Sequence, residues 1–369
     1  MECRKEISFR RKFFFSLATL TAVFALLELG LFASGFQYSQ FPRLAKQDYA
    51  DGWVAHSLHL IPHPLRMWAL KPGSSIVNKY GYQGPVVSIS RKPGTKRILF
   101  LGDSCTNTGS KNYPDKTILK LKEKYYINAE AVIAGTPGYS TYQGLKWLQE
   151  LVDYKPDILV IYLGWNDHWH AMGGGGDNDF FPLTPLEISA KNIFGGLRTY
   201  QYMHYLVYPP KSNHHIFPSE KTYEERMVEF FAYTRVPIPV FISNIARIID
   251  IGSKNGIEMY FIQAPYGRHI DMQGHRMVAP EFRDDVSSIH EAYNLALEQV
   301  VEKHNGAYLV SFKGVEFSRI LMHRDGIHPT EKGNDLIAKS LVEKMMKTST
   351  SLLQPRSASI KHLQNSVTH

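Results

Sequence analysis

The chain has 369 residues, of which 44% are hydrophobic and 21% charged, with a formal net charge of +8. That length fits two domain-sized units or one α/β domain with extensions, and the composition excludes disordered, collagenous and multi-pass membrane proteins. Two cysteines, Cys3 and Cys105, are too few for a disulfide framework or a structural zinc site. Much of the positive charge is terminal. Residues 1–12 carry Arg4, Lys5, Arg10, Arg11 and Lys12 against Glu2 and Glu6, and the tail from Thr348 carries Arg356 and Lys361. The remainder has no basic stripe, so no nucleic-acid partner is expected.

After the basic segment 1–12, residues 13–36 (FFFSLATLTAVFALLELGLFASGF) hold a single charge, Glu28. As a helix this run reaches roughly 36 Å, enough to cross a hydrocarbon core with tilt. Glu28 lies towards its far end, where ionisation costs less than at the bilayer centre. Basic residues crowd before the run, and only Arg43 and Lys46 stand close behind it. The positive-inside rule therefore keeps the N-terminus cytoplasmic and exports the rest, into the periplasm if the cell is Gram-negative. Ala33-Ser34-Gly35 resembles a signal-peptide cleavage site, but the apolar run exceeds the usual core of about 7–15 residues, so an uncleaved signal-anchor is expected.

Residues 37–95 read as a connecting region rich in Pro, Gly and aromatics. From Lys96 onward, short apolar runs alternate with amphipathic stretches. Strands are expected at residues 97–101, 129–134, 157–163, 258–264 and 307–312. Helices are expected at residues 117–124, 143–152, 238–253, 286–304 and 334–346. Continuous β-branched and aromatic runs suit strands covered on both faces, and strand–helix alternation implies a parallel sheet. The expected architecture is one three-layer α/β/α domain over 96–347, interrupted by an insertion at 168–237. That insertion is either a lid above the sheet's C-terminal edge or a solvated loop with satellite helices. The tail 348–369 is Ser/Thr-rich and expected to be disordered.

Open α/β sheets bind ligands beyond the carboxyl ends of their strands. Four polar or Gly-rich clusters fall there: Gly102-Asp103-Ser104, Gly135-Thr136-Pro137-Gly138-Tyr139-Ser140-Thr141, Gly164-Trp165-Asn166-Asp167 and Asp325-Gly326-Ile327-His328-Pro329. Ser104 is a candidate nucleophile, inert until a base takes its proton. His328 is the candidate base, with Asp325 three residues earlier to fix its tautomer. The N–H groups of Ser104 and Gly138 and the amide of Asn166 are candidate oxyanion donors. Asp103 and Asp167 read as anchors for neighbouring groups, and Cys105 as a small buried hydrophobe. His168 and His170 lack a convincing third ligand, His214-His215 sits in a polar stretch, and no metal or cofactor is expected. Trp165 and Trp169 either line a pocket or pack.

Taken together, these blocks resemble the SGNH/GDSL hydrolase superfamily. Gly102-Asp103-Ser104 looks like its nucleophile block, though Cys105 stands where an apolar residue is usual. Gly138, Gly164-x-Asn166-Asp167 and Asp325-x-x-His328 look like the second, third and last blocks. Asn78-x-x-Gly81-Tyr82-x-Gly84-Pro85 is similar to a segment preceding the catalytic domain in membrane-anchored bacterial members. The resemblance implies a flavodoxin-like sandwich with a five-stranded parallel sheet, and metal-free ester hydrolysis or acyl transfer. The expected substrate is an acylated small molecule, glycan or lipid. Transfer of the acyl group to a polysaccharide, and a non-catalytic tethered glycan-binding module, are the alternatives. The absence of Gly-x-Ser-x-Gly argues against an α/β-hydrolase nucleophile elbow. Nothing in the sequence sets the oligomeric state.

Overall fold

The computed structural model describes residues 8–36, 38, 60–168, 176–180, 182–207, 234–267 and 283–353. The first helix, α1 (Phe9–Ala33), is long and apolar enough to cross a membrane, and none of its side chains is buried. It begins inside the basic segment and stops short of the expected end. Gly35 takes a left-handed φ of 73°, and its N–H and that of Phe36 return to the carbonyls of Phe32 and Leu31. Such a turn closes a helix C-terminus, and only glycine adopts it without strain.

A short antiparallel hairpin follows, β1 (Leu60–His63) and β2 (Met67–Leu70). The main sheet then comprises β3 (Lys96–Gly102), β4 (Ala129–Gly135), β5 (Ile158–Tyr162), β6 (Glu258–Ile262) and β7 (Ala307–Val310). All five pair in parallel in the order β4-β3-β5-β6-β7. This is the doubly wound order in which the first strand lies between the second and third, leaving a crevice at their carboxyl ends. The helices α2 (Tyr113–Tyr125), α3 (Thr141–Leu151), α4 (Pro185–Phe194), α5 (Arg198–Val207), α6 (Ile238–Lys254), α7 (Arg283–Val301), α8 (Glu331–Thr348) and α9 (Thr350–Leu353) complete the described chain.

Alternation along each strand divides the core in two, because successive side chains leave a strand on opposite faces. On β3, Leu99 and Leu101 join Leu145 of α3, Ile245 and Ile248 of α6 and Leu297 of α7. Ile98 and Phe100 join Leu121 of α2 and Ile337 and Leu341 of α8 on the other face. The strands are therefore apolar throughout, which is why their runs stand out in the sequence. At the chain's end, Glu258 accepts the N–H groups of Thr350 and Ser351 at 2.8 and 2.9 Å, so the start of the expected disordered tail is docked as α9. Residues 354–369 of that tail lie outside the described residues.

Residues 60–95, read from sequence as a connecting region, are built into the sheet domain. The Gln83 N–H donates to Ile133 O at 2.9 Å on the edge strand β4. Its side chain donates to Gly135 O at 2.7 Å and accepts the Thr108 N–H at 2.9 Å. This covers an edge whose unpaired backbone groups would otherwise invite association. The Asn78–Pro85 segment folds on itself, the Asn78 side chain donating to Gly84 O and accepting the Tyr80 N–H. Tyr82 is buried, and its hydroxyl oxygen accepts the Val87 N–H at 2.6 Å.

Two strands end in glycine for a steric reason. A Cβ on Gly102 would lie 2.0 Å from Thr106 Oγ1, and one on Gly135 would lie 1.5 Å from the Thr106 carbonyl oxygen. The turn after β3 thus folds flat over both strand ends. Gly135→Ala is expected to displace that turn and cost about 1–3 kcal/mol as an overpacked core site. A lower urea midpoint at unchanged m-value would register it.

Candidate active site

The sheet order sets neighbouring loops side by side. β3 pairs β4 with Gly102 opposite Gly135, and pairs β5 with Gly102 opposite Tyr162, so three strands end level. Ser104, Gly138 and Asn166 each lie two to four residues past those ends. The segment carrying Asp325 and His328 runs from β7 to α8, on the layer that also holds α2.

Three of the expected residues meet. Ser104 Oγ lies 2.8 Å from His328 Nε2, although 224 positions separate them. His328 Nδ1 lies 2.6 Å from Asp325 Oδ2. The other carboxylate oxygen, Asp325 Oδ1, accepts the N–H groups of Ile327 and His328 at 2.9 and 3.0 Å. A carboxylate facing Nδ1 makes that nitrogen a donor, so Nε2 of the neutral ring is an acceptor facing the serine hydroxyl. Burial opposes charge on His328, but the hydrogen bond and charge of Asp325 prevail and raise its pKa above the ordinary histidine value. Asp325 is pushed the other way: burial alone would raise it, but the His328 ring and the two N–H donors hold it well below the usual carboxylate range. All three residues keep partial solvent access.

Asp103 is wholly buried beside them. Its Oδ1 accepts the Cys105 N–H at 2.8 Å, and its Oδ2 accepts Asn166 Nδ2 at 3.1 Å. Burial lifts its pKa to about 6, against the opposing pull of the Cys105 N–H and His328. An ionised carboxylate only accepts, so Asp103 dictates that the Asn166 amide turns its nitrogen, not its oxygen, towards Ser104's neighbour. The expected role of Asp103 as an anchor for loop amides therefore extends to a side chain. Cys105 is buried with its Sγ 3.6 Å from Ile327 O, and burial raises its thiol well above the ordinary value. It bridges the Ser104 turn and the His328 segment by packing.

Gly138 has a φ of 77°, and a Cβ there would sit 3.2 Å from Trp68 Cζ2. Trp68 packs beneath this loop and donates its Nε1–H to Pro137 O at 3.0 Å. Arg235 donates to Gly138 O at 2.8 Å, its guanidinium lying over the Trp68 ring. Its guanidinium also pairs with Asp177 at 2.7 Å, both side chains fully buried, and Ser140 Oγ donates to the same Asp177. Among the described residues, no acceptor takes the backbone N–H of Ser104 or Gly138. Trp68, Asp177 and Arg235 were not legible as site residues, because their relation to Gly138 exists only after folding. The one local hint is Trp68 itself, a large apolar side chain in a region otherwise read as linker.

Trp165 is buried and stacked on His290 with ring centroids 3.8 Å apart, so it packs. His168 Nε2 lies 3.1 Å from His290 Nδ1. Trp169, His170 and His214-His215 lie outside the described residues. Asp167 accepts the Thr141 N–H at 3.0 Å and its hydroxyl as well, which secures the start of α3.

Residues 100–336 match the GDSL-like Lipase/Acylhydrolase family, and the chain belongs to it. It is accordingly a hydrolase acting on ester bonds, with an α/β fold of the SGNH type. Among solved structures it is similar to a lipase/acylhydrolase from Enterococcus faecalis, at 18% identity and a TM-score of 0.42, over 71% of this chain and 100% of that one. It is also similar to the acetyl xylan esterase AlAXEase, at 16% identity and a TM-score of 0.40, over 67% and 98% of the two chains. An acetylxylan esterase from Geobacillus stearothermophilus is similar at 13% identity and a TM-score of 0.41, over 69% and 96%. No curated protein sequence matches the chain.

Burial also sets a pH signature. Burial first, with the Thr141 hydrogen bonds opposing, raises Asp167 to about 7. Its value in an unfolded chain is about 3.9. Between these values the folded state binds more protons than the unfolded one, so this group lowers stability as pH rises. The stability of Asp167→Asn relative to the parent should therefore improve from about pH 4 to pH 7, by at most about 1.4 kcal/mol per pH unit. Urea unfolding across that range checks it.

Proposed function

We propose that the protein is a serine esterase that removes O-acyl groups from a cell-surface glycan or lipid through a Ser104–His328–Asp325 acyl-enzyme. The observation that carries this reading is the 2.8 Å contact between Ser104 Oγ and His328 Nε2. Ser104 Oγ attacks the ester carbonyl while His328 Nε2 takes its proton, and Asp325 stabilises the resulting imidazolium. The oxyanion receives the N–H groups of Ser104 and Gly138 and the amide of Asn166. His328 then protonates the departing alcohol. A water, deprotonated by His328, attacks the acyl-enzyme and releases the acid with Ser104 restored. No metal or cofactor enters the scheme.

The surface assignment rests on α1, whose apolar run follows the basic residues and precedes the whole catalytic domain, and which we read as an uncleaved anchor with a cytoplasmic N-terminus and an extracytoplasmic domain. The same acyl-enzyme would also acylate a polysaccharide hydroxyl. Product analysis with and without a glycan acceptor separates hydrolysis from transfer.

Ser104→Ala should abolish turnover of short acyl esters and labelling by an organophosphonate, while circular dichroism stays unchanged. Turnover within a few-fold of the parent would refute the scheme. Asn166→Ala should lower kcat by about 100–1000-fold, the usual cost of losing one oxyanion donor.

The pH–rate profile offers a further check. His328 must be neutral to act as base, and its pKa is raised. The rate should therefore rise with pH through a midpoint above the ordinary histidine value of about 6.5. Asp325→Asn removes the partner that raises it. That variant should move the midpoint to lower pH and reduce kcat by about 10⁴-fold through loss of tautomer control.

A further inference from the structure

The insertion between β5 and α6 supplies two ten-residue helices, α4 and α5, joined by a short turn. Ile188 of α4 packs against the main core, and Leu183 N–H donates to Pro64 O in the β1–β2 turn. Each helix also carries apolar side chains in the open. Leu186 and Ile193 of α4 are 79% and 72% exposed, and Met203, Leu206 and Val207 of α5 are 54%, 55% and 64% exposed. The α5 residues follow i, i+3, i+4 spacing and so form a single stripe. A water-facing helix pair would place polar side chains there.

The other end of α5 is tied to the membrane helix. Glu28 of α1 accepts the Arg198 N–H at 2.8 Å and the Thr199 N–H at 2.7 Å, and the Thr199 hydroxyl donates to it at 2.8 Å. The single carboxylate of the apolar run thus caps the N-terminus of α5, satisfying backbone donors that a helix end leaves open. Beyond the helix, the Phe36 ring meets Tyr202 and Tyr205, and Tyr38 meets His204 and Tyr205. Tyrosines gathered at one end of a membrane helix suit the lipid–water boundary.

The depth of this junction can be read from the helix rise. Glu28 lies about 22 Å beyond Phe13 and about 8 Å before the end of α1. That level is within or just under the headgroup boundary of a bilayer crossed by α1. From there α5 runs outward towards Phe36 and Tyr38, so its open stripe is held at the lipid–water boundary at the far end of α1.

We propose that α4 and α5 form an interfacial anchor whose apolar stripe is seated in the bilayer surface at the far end of α1, and that Glu28 tethers it there. The occupant is the membrane itself, because α5 lies against α1, an apolar helix with no buried side chain that is long enough to cross a bilayer. The proposal rests on the reading of α1 as an uncleaved anchor. It gives the catalytic domain a second attachment and a fixed distance from the lipid. It also connects the bilayer to the site, since α4 packs on β1, and the paired strand β2 carries the Trp68 that supports Gly138.

The test uses the full chain with Cys3→Ser, in vesicles of phosphatidylethanolamine and phosphatidylglycerol carrying doxyl-labelled acyl chains. One cysteine at a time, introduced at Leu20, Leu119, Ile193 or Leu206 beside the buried Cys105, takes an environment-sensitive fluorophore. Leu119, half-exposed on α2, controls for an apolar surface away from the stripe. The labels at Ile193 and Leu206 should shift to the blue and lose emission to the doxyl lipid as the label at Leu20 does, while the label at Leu119 does not. If Leu20 is quenched but Ile193 and Leu206 are not, the interfacial anchor is overturned and the α1 anchor stands; a protein partner or a second copy covering the stripe would give this result. If Leu20 escapes quenching, the α1 anchor fails and the proposal with it. Adding Glu28→Leu should relieve quenching at Leu206 while Leu20 stays quenched. Unchanged quenching at Leu206 would overturn the tether.

Discussion

The turn that carries Ser104 rests on two missing side chains. Gly102 and Gly135 end adjacent strands, and the space their Cβ atoms would fill is taken by Thr106. Only in that position does Asp103 become buried with Cys105 and Asn166 as its partners, and only then does Ser104 face the segment arriving from beyond β7. The place of Ser104 is therefore a consequence of backbone packing at the end of a sheet. The hydroxyl is the visible part of an arrangement decided by glycines and a threonine.

Carboxylates do different work around this rim, and their environments explain why. Asp325 is surrounded by donors and by an imidazole, so it stays ionised and orients the ring. Asp103 and Asp167 have fewer compensating partners for their burial, and both are harder to ionise than ordinary carboxyls. Asp177 is matched to Arg235 in full burial, an arrangement costly to desolvate and damaging to break on one side. That pair joins residues on both flanks of the insertion to the Gly138 loop. The insertion thus begins and ends on the site, whatever its middle does.

Much of this was legible in the sequence, for physical reasons that differ by element. The five strands are apolar on both faces, so their runs stand out, and the structure places all five within a few residues of expectation. Gly102-Asp103-Ser104, Asn166 and Asp325-x-x-His328 were visible because each block is local and follows a strand or precedes a helix. The hairpin β1–β2 was not visible. Its strands are four residues long, one contains Pro62, and every residue of the other is buried, so no period of two appears. Satellite helices were one of the two readings of the insertion, but α4 and α5 could not be placed within it, because their exposed apolar side chains blur the usual contrast between inner and outer faces. Trp68 and Arg235 were beyond reach for another reason: their partners in the Gly138 loop are 69 and 97 positions away in sequence.

The position of Trp68 carries a practical consequence for anyone trimming the chain to a soluble fragment. A fragment opened at Lys96, where the sheet begins, would shed the indole under Gly138 and the Gln83 cover on β4 together. It would keep every residue of the motif blocks and still lose the floor of one of them, along with the guard on its outermost strand. The natural place to cut is upstream of Leu60, so that the ribbon preceding the sheet travels with it.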